Sequence, residues 1–354
     1  MFFNLPLISI DIGSSAIKIV EMSGKNDKKL RTIGIELLPE GVIQDGIIRD
    51  IATVENTLKH LIRRLKIRTT GRRTSISLGG NSVIIKKINY PNKDDLELAD
   101  MIESEAEQHF QHDINDLYFT WHALDTDPDN PDRPVILIGA KRDLVEQYIS
   151  VIKSTGLKIG VVDCDVFALY NMFEYNFGSV SGLVALANIG ASSTQVTLIG
   201  NGQYLYTRDI AIGGNNYSKS ISSALNISLE NAEAMKIAAG EGDPSAGIAD
   251  PSALNKVTDQ LVSEIQVTTD FFFQSGEAPM DLTAVSAVFL SGGGAKTPGL
   301  DSSIASSLNI PVNMINPFHK VEIPKRFPME SVLSQGHLYS VCVGLSLREV
   351  DDHV

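Results

Sequence analysis

Apolar and polar residues alternate on both sides of a short polar break in Ile8–Ile19, which reads Ile-Ser-Ile-Asp-Ile-Gly-Ser-Ser-Ala-Ile-Lys-Ile. The period of two predicts a pair of strands joined by a tight turn at Gly13-Ser14-Ser15. Such a hairpin brings Asp11 and several turn N–H groups together, so that it can hold a phosphate while Asp11 meets a metal or its water shell. Leu30–Leu38 returns as a strand. Thr53–Lys66 carries Val54, Leu58, Leu61, Ile62 and Leu65 at helical spacing and should pack one face on that sheet. Arg73–Leu78 is a strand broken by Gly79-Gly80, and Val83–Ile88 is another, ended by Pro91. Asn92, Asp94 and Asp95 open a helix with a capping side chain and acids in its first turn. It runs to about His109. Leu117–Leu124 is strand-like, Asp125–Pro134 an exposed loop, Val135–Ala140 a buried strand and Leu144–Ile152 a helix ended by Gly156. This strand-helix-strand-strand-helix run reads as a small α/β subdomain inserted into the first.

The second half repeats the opening. Ile159–Asp163 is a strand leading to the apolar helix Val166–Phe177. Leu183–Ile189, the turn Gly190-Ala191-Ser192-Ser193-Thr194 and Gln195–Ile199 then form a hairpin of the same design. In both, an apolar strand ends in a polar residue, a glycine and small hydroxyl residues before a second apolar strand. A repeated hairpin in the two halves of a chain signals duplicated architecture. Ile212-Gly213-Gly214-Asn215 opens a helix. Leu229–Ala239 is a helix with Glu230, Glu233 and Lys236, and Gly240–Pro251 a loop of small and acidic residues. Leu254–Phe273 is a long helix and Val285–Leu290 a buried strand. Ser291-Gly292-Gly293-Gly294-Ala295 leads through Thr297-Pro298-Gly299 into a helix at Leu300–Ser307, a glycine turn over which a ligand can lie close. It is not a P-loop, because Ala295 stands where the glycine before the lysine belongs.

Composition narrows the class. At 354 residues the chain exceeds one ordinary core, so two or more subdomains are expected. A hydrophobic share of 43% and a mean hydropathy of +0.03 describe a globular chain. A net charge of −13 argues against a general nucleic-acid binder, since there is no positive field to release counterions. Cys164 and Cys342 lie in apolar surroundings and read as buried thiols of a reducing compartment. No stretch reaches the roughly 18 to 20 apolar residues of a membrane helix. Met1–Pro6 lacks a basic start and reads as a first strand, not a signal peptide. A cytosolic chain follows, with the sequons at Asn216 and Asn226 left bare. Lys59, Arg63, Arg64, Lys66, Arg68, Arg72 and Arg73 form a basic run that is either a solvated face or a patch for an acidic partner. His109, His112 and His122 lack the further ligands a metal site needs, and Trp121 reads as a core anchor.

Taken together, these stretches resemble the actin-like ATPase superfamily. Asp11–Lys18 matches its first phosphate loop and Asn188–Ile199 its second. Asp163–Leu169 and Gly336–Leu347 match its connecting helices, and Ser291–Gly299 its adenosine loop. Within it, Asp-Ile-Gly-Ser-Ser, Tyr90–Leu124, Val162–Leu169 and Glu233-x-x-Lys236 are similar to the type IV pilus assembly family PilM. The resemblance implies a ribonuclease-H-like duplicated α/β fold, two lobes around a nucleotide cleft, with an inserted subdomain of the FtsA and PilM type. The implied division is 1–80, 160–187 and 336–354 for subdomain 1A and 81–159 for the insert. Residues 188–228 with 283–335 form subdomain 2A, and 229–282 form 2B. The cofactors implied are ATP and Mg2+. Asp11 would face the metal through water. Gly13, Ser14, Ser15 and Lys18 would hold the terminal phosphates, with Gly190, Ala191, Ser192 and Ser193 closing from the other half. Gly213 and Gly214 would approach the nucleotide, Glu233 and Lys236 would lie near ribose and base, and Gly292, Gly293 and Gly294 would pass under the adenosine. For Glu233 and Lys236 the plain alternative is an exposed helix pair.

The superfamily begins its second phosphate loop with an aspartate, and Asn188 stands there. An amide can hydrogen-bond water but neither neutralises a cation nor takes a proton readily. Asp165 falls where relatives place the residue that orients the attacking water. ATP binding with slow hydrolysis is therefore expected, with Asp11, Asp165 and Asn188 as the catalytic positions. The chain's end, Leu347–Val354, is acidic, unlike the basic amphipathic helix of FtsA, so membrane recruitment is expected through a partner. The implied partner is the cytoplasmic N-terminal peptide of PilN, placing the chain at the inner membrane from the cytoplasmic side. A filament-forming ATPase like FtsA or MreB, and a small-molecule kinase of the same fold, are the alternatives.

Overall fold

The computed structural model describes residues 5–110, 112–124, 126–243, 252–276 and 278–350. The chain opens with the antiparallel strands β1 (Ile8–Ile12), β2 (Ala16–Ser23) and β3 (Lys29–Leu37). A short ribbon of β4 (Ile43–Gln44) and β5 (Ile47–Ile48) precedes α1 (Ile51–Arg64). Asp50 caps α1 by accepting from the Thr53 N–H at 3.0 Å, and Arg63 and Arg64 close its last turn, where cations suit the helix dipole. Its buried face of Val54, Leu58, Leu61 and Ile62 packs under the sheet, each side chain contributing about 1.5–3 kcal/mol. The sheet gains β6 (Arg73–Leu78), parallel to β1.

The insert follows as β7 (Val83–Pro91), α2 (Asp95–Phe110), β8 (Leu117–Ala123), β9 (Asp132–Lys141) and α3 (Arg142–Lys153). β9 pairs with both β7 and β8 in a three-stranded antiparallel sheet, against which α2 buries Leu98, Ile102 and Phe110. Asp94 supplies the cap of α2, whereas the Asn92 amide donates to carbonyls of the loop opposite, including Asn130 O at 2.9 Å. α3 sends Val145, Tyr148, Val151 and Ile152 into the core shared by β1, β2 and α1.

β10 (Lys158–Cys164) completes the first sheet parallel to β6, giving the order β10-β6-β1-β2-β3. α4 (Asp165–Phe177) leads to the second lobe. There β11 (Leu183–Ile189), β12 (Thr194–Gly200) and β13 (Gln203–Ile210) run antiparallel, followed by α5 (Gly214–Leu225), α6 (Leu229–Gly240) and α7 (Ser252–Gln274). β14 (Val285–Ser291), α8 (Leu300–Leu308) and β15 (Val312–Met314) finish a sheet of order β13-β12-β11-β14-β15. The two orders are the same arrangement, three antiparallel strands followed by two parallel ones. α9 (Met329–Ser334) and a single 3-10 turn lead into α10 (Ser340–Leu345), which returns to the first lobe and packs between β1 and α4.

Strand alternation sorts the side chains. Ile8, Ile10 and Ile12 face α1 and α3, while Val20 and Met22 of β2 join Val184 and Leu186 of β11, Leu169 and Phe173 of α4 and Val343 of α10 in a core between the lobes. Asp11 and Asn188 share the parity of this inner face.

Several expectations change. The strand expected over Met1–Pro6 falls mostly on residues 1–4, which lie outside the described residues; residues 5–7 are not strand, and the first described strand begins at Ile8. The loop expected over Asp125–Pro134 gives way to β9 at Asp132, because residues 132–134 pair with Pro91, Tyr90 and Asn89; Asp125 itself lies outside the described residues. The same holds for residues 244–251 of the loop expected over Gly240–Pro251 and for residues 351–354 of the acidic end. Three residues of the basic run are answered within the fold. Lys59 pairs with Glu55 at 2.9 Å, Arg64 with Glu36 at 3.1 Å, and Arg72 with Glu21 at 2.7 Å. The acids come from other elements or the preceding helical turn, which is why reading Lys59–Arg73 alone left the run uncompensated. His109 shares a 2.9 Å hydrogen bond with the Tyr90 hydroxyl, and Trp121 packs half-buried on the core of the insert. Cys164 and Cys342 are buried free thiols, and burial pushes both upward from the ordinary thiol value. No helix of the described residues is long and apolar enough to cross a membrane.

Candidate nucleotide site

The first hairpin reaches the second lobe through its turn. Asp11 and Lys18 stand opposite one another in the β1–β2 register, and Lys18 Nζ donates to Asp11 Oδ2 at 2.8 Å. Burial pulls the Lys18 ammonium down, but the Asp11 charge and hydrogen bond outweigh it, so the net shift is upward and the lysine stays charged. Gly13 N–H closes the turn on Ala16 O at 3.1 Å.

The second hairpin copies the backbone. Gly190 N–H closes on Ser193 O at 2.9 Å, and Asn188 stands opposite Gln195 as Asp11 stands opposite Lys18. The turns meet: Ser14 Oγ and Ser192 Oγ are 3.1 Å apart across 178 residues of chain. Asn188 Oδ1 accepts from Ser291 Oγ at 3.1 Å, which ties it to the glycine turn after β14. Gly292, at φ +84°, is required there, since a Cβ would lie 2.4 Å from Ile189 O and 2.7 Å from Asn188 Oδ1. The Gly292 N–H donates to His337 O at 2.9 Å, so the turn hangs from the segment leading into α10.

Asp165 opens α4 beside the first hairpin. The Ser77 hydroxyl donates to it, and Gly79 leaves it room, for a Cβ there would sit 2.0 Å from Asp165 Oδ2. Burial first, then the charge of Asp11, push the Asp165 carboxyl up to about 7. Ser77 and Lys18 pull it down, and Asp209 adds a smaller upward push. A carboxyl with a value near 7 can keep or give up a proton at cellular pH, as an acid-base group must.

At the far end, α5 folds back onto the second turn. Gly214 N–H donates to Gly190 O at 2.9 Å and Asn215 N–H to Ala191 O at 2.8 Å, while a Cβ on Gly213 would strike Ala191 O at 2.7 Å. Glu233 and Lys236 are not an exposed pair. Lys236 is buried, and its Nζ donates to Glu233 Oε2 at 2.6 Å, Gly214 O at 2.9 Å and Ser218 Oγ at 3.0 Å. They brace the start of α5 against the turn of the second hairpin.

A family model described as type IV pilus assembly protein PilM matches residues 9–350. The chain belongs to the PilM family. A solved PilM–PilN type IV pilus biogenesis complex superposes with a TM-score of 0.85 at 24% identity, covering 99% of this chain and 100% of that one. The ethanolamine utilization protein EutJ of Carboxydothermus hydrogenoformans superposes at 0.54 with 14% identity, over 96% of this chain and 89% of that one. MreB5 of Spiroplasma citri bound to AMPPNP superposes at 0.50, again with 14% identity, over 96% and 94%. These likenesses establish the actin-like ATPase fold. Cell division protein FtsA of Bacillus subtilis (strain 168) is 26% identical over 257 residues, 65% of this chain; the match spans 57% of FtsA's length.

The fold thus brings the two turns of the PilM-family chain together at Ser14 and Ser192, with Lys18 on Asp11, Asn188 tied to the glycine turn through Ser291, and Asp165 within electrostatic reach of Asp11. Three participants escaped the sequence. Ser77 ends an ordinary strand and is marked only by Gly79 after it. Gln195 reads as a strand position. Asp209 lies on β13, which apolar periodicity does not reveal, although Asn201-Gly202 before it is a strong hairpin signal, with φ +49° and +79°.

Proposed function

We propose that this chain binds ATP with Mg2+ in the cleft between its hairpins and uses the nucleotide to set how its lobes hold a partner. The observation that carries this is the meeting of the two turns at Ser14 and Ser192, flanked by the Asp11–Lys18 pair. Gly13–Ser15 and Gly190–Ser193 would take the terminal phosphates, Asp11 would meet the hydrated cation, and Gly292–Gly294 would run under the adenosine. Glu233 and Lys236 would reach the nucleoside only by exchanging the internal bonds they now make. Mg2+ would neutralise phosphate charge. Asp165 would orient a water, and with Asn188 in place of an acid, turnover would be slow.

The partner reading follows the named complex: the cytoplasmic N-terminal peptide of a PilN protein would dock here and hold the chain at the inner membrane. An apolar seam supports it. Val83, Ile85, Leu124 and Phe167 stay half-buried where the insert sheet meets α4 and Tyr204. A short peptide that buries such side chains gains the usual apolar transfer energy. Titration of a fluorescent ATP analogue, followed by peptide pull-down with and without ATP, tests both halves. No nucleotide binding would remove the first half; equal capture in both states would remove the coupling. The FtsA relationship favours polymerisation as the second reading, and ATP-dependent sedimentation would reveal it.

A further inference from the structure

The two sheets share one strand order, so each residue of the first hairpin has a counterpart in the second. Asp11, Lys18 and Ile35 lie side by side on β1, β2 and β3. Their counterparts on β11, β12 and β13 are Asn188, Gln195 and Asp209. Residues in cross-strand register share one face of a sheet. The first lobe therefore presents acid, cation and apolar side chain to the cleft, and the second presents amide, amide and acid. The carboxylate that is missing from the first strand of the second lobe stands two strands away on the same face.

Gln195 connects the two positions. Its Nε2 donates to Asp209 Oδ1 at 3.2 Å. Gln195 is only 7% exposed, and its Oε1 has no hydrogen-bond partner. A buried acceptor left without a donor costs about 1–3 kcal/mol, so a ligand that donates there is favoured. Asp209 itself is an exposed residue, yet burial around its carboxyl pushes it up from the ordinary value while the Gln195 hydrogen bond pulls it down. Together they form an acceptor set, a carboxylate and an amide oxygen, suited to the waters of a hydrated divalent cation.

We infer that Asp209, positioned by Gln195, is the second lobe's acidic group toward the Mg2+ of bound MgATP, in the role that Asn188 leaves unfilled. The inference rests on the nucleotide-binding reading above. Removing a group that orients a metal's ligands costs about 10- to 100-fold in affinity or activity. The test is ATP binding to the full chain, with Mg2+ and with EDTA, for wild type, Asp209→Asn, Gln195→Met, and Asn188→Asp combined with Asp209→Asn. Asp209→Asn and Gln195→Met should lower MgATP affinity by about 10-fold or more while metal-free ATP binds as before or more tightly. The double variant should regain most of the loss, because it returns a carboxylate to the first strand. Melting temperatures without nucleotide separate a folding defect from a binding one, and Gln195→Met keeps the test open if Asp209→Asn does not fold. MgATP binding to Asp209→Asn at wild-type strength overturns the inference, as does an equal loss with and without metal. A wild-type chain that binds no nucleotide at all overturns the nucleotide reading itself, a result that the variants cannot mimic.

Discussion

The two turn-forming hairpins have one backbone and two chemistries. Each turns at a glycine whose N–H closes on a carbonyl three residues on, and each places its first polar side chain opposite the residue seven positions later. In the first lobe that pair is Asp11 with Lys18, charged and self-neutralising at 2.8 Å. In the second it is Asn188 with Gln195, both neutral, with an acid only at Asp209. Turn geometry depends on glycine and small residues, so duplication preserves it.

The comparison presupposes that the lobes face one another, and the crossing of α4 and α10 sets this. A Cβ on Gly344 would lie 1.7 Å from Ala168 O, an overlap with backbone that no rotamer relieves. Gly344→Val is therefore expected to abolish cooperative folding, seen as loss of the urea transition by circular dichroism, whereas a valine at the exposed Gly71, which is open but strained at φ +72°, should cost far less.

Asp11→Asn gives the first hairpin the neutral character of the second. Lys18 then keeps its charge without its carboxylate. Breaking a fully buried pair costs about 3–5 kcal/mol, and the residual exposure of this one brings the expected loss to about 2–3 kcal/mol. Urea denaturation measures it, and MgATP affinity should fall with it. A stability equal to wild type would mean that Lys18 finds another partner and that the two hairpins differ less than their residues suggest.

The smallest effect is a pH slope. The folded value of Asp165 lies above that of an unfolded carboxylate, so the folded protein holds a proton that the unfolded chain releases. Stability of the nucleotide-free protein should accordingly fall as pH rises from about 4 toward 7, then level off. Asp165→Asn should flatten this contribution and be the more stable protein at pH 8, by urea midpoints at pH 5 and pH 8. An unchanged slope would place the charge coupling between Asp11 and Asp165 elsewhere.

Much of this was legible along the chain. The hairpins stood out because alternation, glycine and small hydroxyl residues coincide twice in one order. Glu233 and Lys236 were visible as an i, i+3 pair, but not that Lys236 would be drawn from solvent to Gly214 O and Ser218 Oγ, since those acceptors lie on another helix. β13 escaped because Gln203–Ile210 mixes aromatic and charged residues and buries only some of them.

Local pattern by itself determined the strands of both hairpins, the duplicated order and the residues around Asp11, because period and turn chemistry are properties of neighbours in sequence. Tertiary structure alone decided that Ser14 meets Ser192, that Arg64 and Arg72 of the basic run meet Glu36 and Glu21, and that Asp209 shares a face with Asn188. These depend on strand register and on charges from distant segments, which no window of sequence contains. Asp11 was recognisable as an acid at a turn; the acid on the matching face of the second lobe, Asp209, became visible only when three strands were laid side by side.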